Sequence, residues 1–191
     1  KHGDDRGIWL DTEAAQDRID FFQLLRHTKG KWGRGKGQTF TPSPWQTFIY
    51  WNLYGWKRDD GLRRFRVCYL EVARKNGKST QLASDGIYLL DFDDEPGSEV
   101  YSAATKFDQA KIIHSEATNM VRKSPGLMKR INVFKNNLHV LETASKYEPL
   151  GRDSKTYDGL NIHGALIDEL HEHPDRSMWD VLETGTGARE Q

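Results

Sequence analysis

Two short clusters in this chain carry the residue types that phosphate chemistry needs. Gly77, Lys78 and Ser79 end the turn in residues 67–80, VCYLEVARKNGKST. A turn of this kind leaves backbone N–H groups aimed at one point, where they can wrap a phosphate while the lysine adds positive charge. Much later come two adjacent carboxylates, Asp168 and Glu169. Lys78 would then neutralise β- and γ-phosphate oxygens, the Ser79 hydroxyl would ligate Mg²⁺, and Asp168 would hold that ion through a water. Glu169 is placed to orient or deprotonate an attacking water, so the pair of clusters fits hydrolysis of a nucleoside triphosphate.

Such clusters act only if elements bring them together. Residues 65–72 are an apolar run expected to form a strand that feeds the phosphate turn. Residues 79–90 follow as a helix with Leu82, Ala83, Ile87 and Leu90 on its inner face. Strand, glycine turn, helix is the context that a phosphate turn requires. Asp168-Glu169 follow IHGALI, residues 162–167, a strand of the buried type. Between the clusters the pattern predicts a strand at 99–103 and a long helix from a Thr105 cap to Lys123, with Phe107, Ala110, Ile113, Ala117 and Met120 at helical spacing. Two extended pieces, 131–134 and 138–142, flank Asn136-Asn137 like a hairpin. Residues 151–160 are expected as a polar loop, and a last helix covers about residues 175–183, with TGTGAREQ closing the chain.

Strands alternating with helices predict an α/β fold, a mostly parallel sheet of the P-loop NTPase type with helices on both faces. Ligands of such sheets bind beyond the carboxyl ends of the strands. Both clusters fall just past strand ends, so they can meet although they are far apart in sequence.

The chain before residue 40 has a different texture. Residues 11–27 read as an amphipathic docking helix, with Ile19, Phe22, Leu24 and Leu25 on one side. Residues 27–38, HTKGKWGRGKGQ, are a glycine-rich basic loop around Trp32, taken as a solvated loop, with contact to nucleic-acid phosphates as the alternative. Then Ser43 can cap a helix with Pro44 at its first position and Trp45, Phe48, Ile49, Trp51 and Leu53 behind. Trp and Tyr residues are read as core, not as base-stacking surfaces. The division expected is residues 1–39, a helix and basic loop, and residues 40–191, the nucleotide-binding core.

The length of 191 residues suits one main domain, and 28 basic against 28 acidic residues give no whole-chain signature of nucleic-acid or membrane binding. The one cysteine, Cys68, lies in the expected strand, where it would pack as a small hydrophobe, and an intracellular protein is expected. No apolar run reaches membrane-span length, residues 1–10 lack the apolar core of a signal peptide, and a first residue other than Met fits a processed chain. His163, His171 and His173 surround the acidic pair, but two of them stand two apart, off the spacing of zinc helices, and they are read as polar-loop residues.

One departure from the general phosphate-loop pattern is informative: the place of its first glycine is taken by Val72. The loop ARKNGKST, with Arg74 and Lys75 in it and a carboxylate pair after IHGALI, resembles the large terminase subunits of tailed bacteriophages, ATPases that pump DNA into a capsid. SPWQ resembles that family's adenine-recognising segment, which puts Gln46 on the base edge. YSAATKFDQAKIIHSEA matches its long helix, and DSKTYDGLNIHGALIDELHEH matches its loop before the acidic strand. The resemblance covers about residues 40–191. It implies that Arg74, Lys75, Asn76, Gly77, Lys78, Ser79 and Thr80 cradle ATP, that Ser79 and Asp168 hold Mg²⁺, and that Glu169 is catalytic. A γ-phosphate-contacting arginine is implied as well, Arg74 within the subunit or Arg152 reaching a neighbour. The partners implied are double-stranded DNA, a small terminase subunit, a portal protein and other copies of the chain in a ring, in the cytoplasm of a bacterial host and with no membrane. A coupling strand and a nuclease domain are expected to lie beyond this chain, and TGTGARE, which follows a helix, is not assigned as the coupling motif. Two other readings stay open. One is a different P-loop enzyme, a helicase-like ATPase or a small-molecule kinase. The other is a non-catalytic structural or DNA-binding module in which Lys78 is a surface lysine.

Overall fold

The computed structural model describes residues 6–151 and 159–187. Its described residues divide into two compact units, one up to residue 73 and the other from residue 74 onward.

In the first unit, β1 (Ile8–Leu10) pairs antiparallel with β2 (Trp56–Arg58). Between them, α1 (Thr12–Asp20) is capped by the Asp11 carboxylate, which accepts from the Ala14 N–H at 3.0 Å, and runs on into a short 3₁₀ turn, Phe21–Leu24. α1 packs on α2 (Pro44–Gly55), which starts as expected with Ser43 at the cap and Pro44 at the first position. The core holds Ala15, Phe21, Phe22, Leu25, Phe40, Tyr50 and Tyr54. It also holds Arg18, fully buried, its guanidinium 4.1 Å from the ring centroid of Tyr50 and 4.4 Å from that of Phe22.

The expectation of a strand at residues 65–72 is not met: no residue there is in a strand, Val67 and Tyr69 are 63% and 71% exposed, and Cys68 is exposed instead of packed. The composition suits a strand, but a strand exists only where a neighbour supplies its ladder of hydrogen bonds. No such partner occurs among the described residues.

The second unit is an α/β layer structure. Its five-stranded sheet has the order β4-β5-β6-β3-β7. β3 (Glu99–Ala104) lies parallel to both β6 (Ser145–Gly151) and β7 (Ile162–Ile167), and the short β4 (Asn132–Val133) and β5 (Leu138–Val140) form the antiparallel hairpin. α3 (Lys78–Asp91) and α4 (Phe107–Lys123) pack against each other and against one face of the sheet. α5 (Pro125–Met128) is a single turn after α4. α6 (Ser177–Thr186) covers the other face, where Met178 and Leu182 meet Tyr101, Ala103, Leu150 and Ile162. Helices therefore lie on both faces, as expected.

Three details differ from the sequence reading. The residue flanking α4 is Lys106, and the Thr105 hydroxyl bonds the Gln109 side chain instead. α6 continues through Thr184 and Gly185, so most of TGTG is helical. β6 was not anticipated at all.

The α3 layer is held close to the sheet. A methyl group at Gly86 would come within 2.5 Å of the Tyr147 ring, so the helix can lie this near β6 only without a side chain there. On the buried face of α4, His114 has its Nε2 3.2 Å from the Tyr147 carbonyl, and burial lowers the imidazole pKa to about 4. The ring is neutral near pH 7, and Nε2–H is the donor because a carbonyl can only accept. Ser102 ties β3 to α4 through the Ala110 carbonyl at 3.0 Å. Among the described residues no helix is long and apolar enough to cross a membrane.

Candidate functional site

The carboxyl end of β7 and the amino end of α3 meet in the second unit. Lys78 is the first residue of α3, and Gly77 before it has φ 81°, a left-handed conformation that glycine adopts without steric cost. Lys75 is also left-handed, at φ 69°, so the chain takes two left-handed steps within three residues just before the helix. No acidic residue lies in the first turn of α3 and no side chain caps it, which leaves the helix end attractive to an anion. Arg74, Lys75, Asn76 and Gly77 are exposed, whereas Lys78, Ser79 and Thr80 are half-buried.

Two hydrogen bonds join the clusters. Lys78 Nζ lies 3.1 Å from Glu169 Oε1, and Ser79 Oγ donates to Asp168 Oδ2 at 3.3 Å. Asp168 turns its second oxygen, Oδ1, to the Glu169 N–H at 3.0 Å, so both of its oxygens are oriented. Glu169 itself has φ 47° and ψ 51°, a conformation that costs a non-glycine residue energy and that recurs where a side chain must be aimed. The Lys78 hydrogen bond holds the Glu169 carboxyl below its ordinary pKa. Partial desolvation opposes this, and the charges of Lys78, His171 and Arg74 assist it. Glu169 is a carboxylate at neutral pH, with the proton-accepting character a general base needs.

The donor set suits Mg²⁺. A hydroxyl and a carboxylate oxygen face each other at a half-open position, and Mg²⁺ takes one or two such protein oxygens beside waters and phosphate oxygens. Among the described residues no group of three or more His, Cys, Asp or Glu could cage a metal, and His163, expected as a polar-loop residue, lies within β7 with its side chain buried.

The other expected site residues are less concentrated. Arg74 acts on Glu169 through its charge. Arg152 lies outside the described residues. Gln46 is in the first unit, nearly buried, and its Oε1 accepts from the Ser43 N–H at 2.8 Å and the Ser43 hydroxyl at 3.0 Å, so its oxygen closes the start of α2 and its amide nitrogen remains as a donor. Sequence reasoning missed His171 as a neighbour of Glu169, with Nδ1 3.5 Å from Oε2. The signal was the HEH that follows the acidic pair, weighed only as a possible metal ligand. It also missed His163, whose Nε2 meets Asp93 Oδ2 at 2.8 Å, two buried side chains near the start of β7, the far end of the strand from Asp168.

A helix end with a lysine and a hydroxyl, facing a carboxylate pair at a strand end on a three-layer α/β frame, defines a domain of the P-loop class. Residues 44–191 match the family model described as terminase large subunit, ATPase domain, and the chain belongs to that family. A family of this kind implies nucleotide binding. Among solved structures the chain is similar to the crystal structure of the HK97 bacteriophage large terminase, with a TM-score of 0.76 and 24% identity over 92% of this chain. That likeness is one of fold, and the match spans 36% of the length of the HK97 chain. No curated protein matches the chain.

Proposed function

We propose that this chain is the ATP-hydrolysing part of a motor that drives double-stranded viral DNA into a capsid. The observation that supports this most is the meeting of Lys78 and Ser79 with Asp168 and Glu169 through two hydrogen bonds, across two elements distant in sequence. In this reading residues 74–80 wrap the phosphates with backbone N–H groups and Lys78 neutralises the β- and γ-oxygens. Mg²⁺, held by Ser79 and Asp168, would supply charge neutralisation between the phosphates. Glu169, kept ionised and aimed by its backbone, orients the attacking water and accepts its proton. The Gln46 amide nitrogen serves the adenine edge. Arg74 is the arginine best placed for the γ-phosphate, because its charge already reaches Glu169, and Arg152 remains the candidate for action in a neighbouring subunit.

The same reading places the chain in the cytoplasm of a bacterial host, as a ring of copies on a portal, with a small terminase subunit and DNA as partners. Residues 40–191 are the nucleotide-binding core in this reading. A small-molecule kinase accounts less well for the site, because it would not need a second carboxylate beside the Mg²⁺ aspartate.

Calorimetric titration of Mg-ATP, and of a non-hydrolysable analogue, into this chain and into Lys78→Ala tests the proposal. Binding by the unaltered chain that falls by ~100-fold or more in the variant is expected, from loss of a charge-assisted phosphate contact of about 3 kcal/mol. Equal binding by both would remove the phosphate role from Lys78 and the proposal with it.

A further inference from the structure

Within the first unit, residues 26–39 form a closed loop with a built neck. The Phe40 N–H donates to the Leu25 carbonyl at 3.0 Å and the His27 N–H to the Gln38 carbonyl at 2.9 Å, and Arg26 and Thr39 are bridged antiparallel. Inside the neck the Gln38 N–H donates to the Trp32 carbonyl at 2.8 Å, Lys31–Gly33 is a 3₁₀ turn, and the Gly37 N–H reaches the Arg34 carbonyl at 3.0 Å. Gly30, Gly35 and Gly37 all have positive φ, so the turns are ones in which other residues would be strained. The loop is therefore shaped by its own backbone, although its composition resembles that of a flexible linker.

Its charge is one-sided. Arg26, Lys29, Lys31, Arg34 and Lys36 lie in it with no acidic residue among them, and all but Arg26 are exposed. Among the described residues Arg34 and Lys36 have no acidic partner. The zero net charge of the chain conceals this asymmetry: residues 1–73 carry 13 basic and 9 acidic side chains, and residues 74–191 carry 15 and 19. Trp32, half exposed, has the His27 ring 5.8 Å away and the Lys31 ammonium 4.9 Å from its centroid. The indole is already engaged, which suits it to brace the loop more than to stack a nucleobase.

We propose that this loop is a nucleic-acid contact that grips the phosphate backbone of duplex DNA without reading its bases. Exposed cations such as Arg34 and Lys36, carried on a loop that its own backbone shapes, release counterions when they meet phosphates, and that term needs no base contact. The choice of duplex DNA rests on the packaging reading above. The charge and shape of the loop do not.

The test is anisotropy of a labelled DNA duplex titrated with this chain and with the double variant Arg34→Gln/Lys36→Gln, over a range of salt. Affinity should fall by about tenfold in the variant and the log–log salt slope should shrink by about 2, equally on duplexes of unrelated sequence. The same affinity and slope in both proteins, no duplex binding by the unaltered chain at low salt, or a preference for single strands or for one duplex sequence would each overturn the proposal. Mg-ATP titrations on both proteins separate it from the nucleotide reading. Loss of duplex binding with unchanged Mg-ATP binding supports the loop alone, and loop-dependent duplex binding in a chain that binds no Mg-ATP would keep this proposal and discard the other.

Discussion

Arg18 and Lys78 are both cations at the working heart of a unit, and they are treated in opposite ways. Arg18 is removed from water and surrounded by Phe21, Phe22, Tyr50 and Tyr54, with ring centroids between 4.1 and 5.4 Å from its guanidinium. Lys78 keeps about a quarter of its side chain exposed and meets a single carboxylate that is itself 40% exposed. A buried guanidinium is costly unless its surroundings replace water. Four aromatic faces do so in part, and a planar, weakly hydrated cation suits them better than an ammonium would. The first unit thus uses charge to organise a core. The second holds charge at the end of its sheet, where the proposed phosphate ligand would exchange places with the carboxylate. Burial, more than residue type, separates the two: one cation is enclosed in a core, and the other, proposed to meet phosphate, stays within reach of solvent.

The comparison breaks most directly at Arg18. Arg18→Ala should lower stability by about 3 kcal/mol, from the cavity and the lost cation–aromatic contacts, while Mg-ATP affinity changes less than twofold. Urea unfolding beside calorimetry reads both. A stable variant that had lost Mg-ATP binding would reverse the roles assigned to the two cations.

Acid probes the second unit through another buried group. His114 titrates at about 4 in the fold against 6.5 when exposed, so the unfolded chain takes up a proton first as pH falls. The stability it contributes is complete above pH 6.5 and is lost progressively down to about pH 4, roughly 3 kcal/mol in all. His114→Gln, which keeps a donor for the Tyr147 carbonyl without a titrating ring, should flatten that part of the pH–stability profile. An unchanged profile would mean that other groups govern it.

Much of this arrangement was written locally. Ser43-Pro44 starts α2, IHGALI becomes β7, and the patterns for α3, α4 and the β4–β5 hairpin all occur close to where their periodicity puts them. The carboxylate pair was legible because polar residues that end a buried strand have few other uses. β6 was not legible: SKYEPLG has Lys146 and Glu148 between Ser145, Tyr147 and Pro149, and it is a strand because β3 offers it an edge. Residues 65–72 fail for the mirror reason, having strand composition and no partner in view. Gln46 shows a third limit, since a side chain singled out for ligand chemistry spends its oxygen on a helix cap. Pairing and capping depend on neighbours that a linear pattern does not contain.

The smallest stability effect belongs to the second cation's partner. Lys78 keeps the Glu169 carboxyl below its ordinary 4.5, so the contact is intact above that value and disappears as pH falls through the lower folded one. Glu169 is 40% exposed and solvent screens the pair, so Glu169→Gln should change stability at neutral pH by less than ~1 kcal/mol. Binding should respond in the other direction. With its carboxylate partner neutralised, Lys78 no longer has to leave an ion pair to meet phosphate, and Mg-ATP should bind equally well or a few-fold more tightly. Turnover by the complete enzyme should meanwhile collapse for want of a base. A variant that hydrolysed ATP normally would take the catalytic role from Glu169. A large loss of stability would show that the rim of the sheet, like the aromatic box around Arg18, is built to hold the fold together.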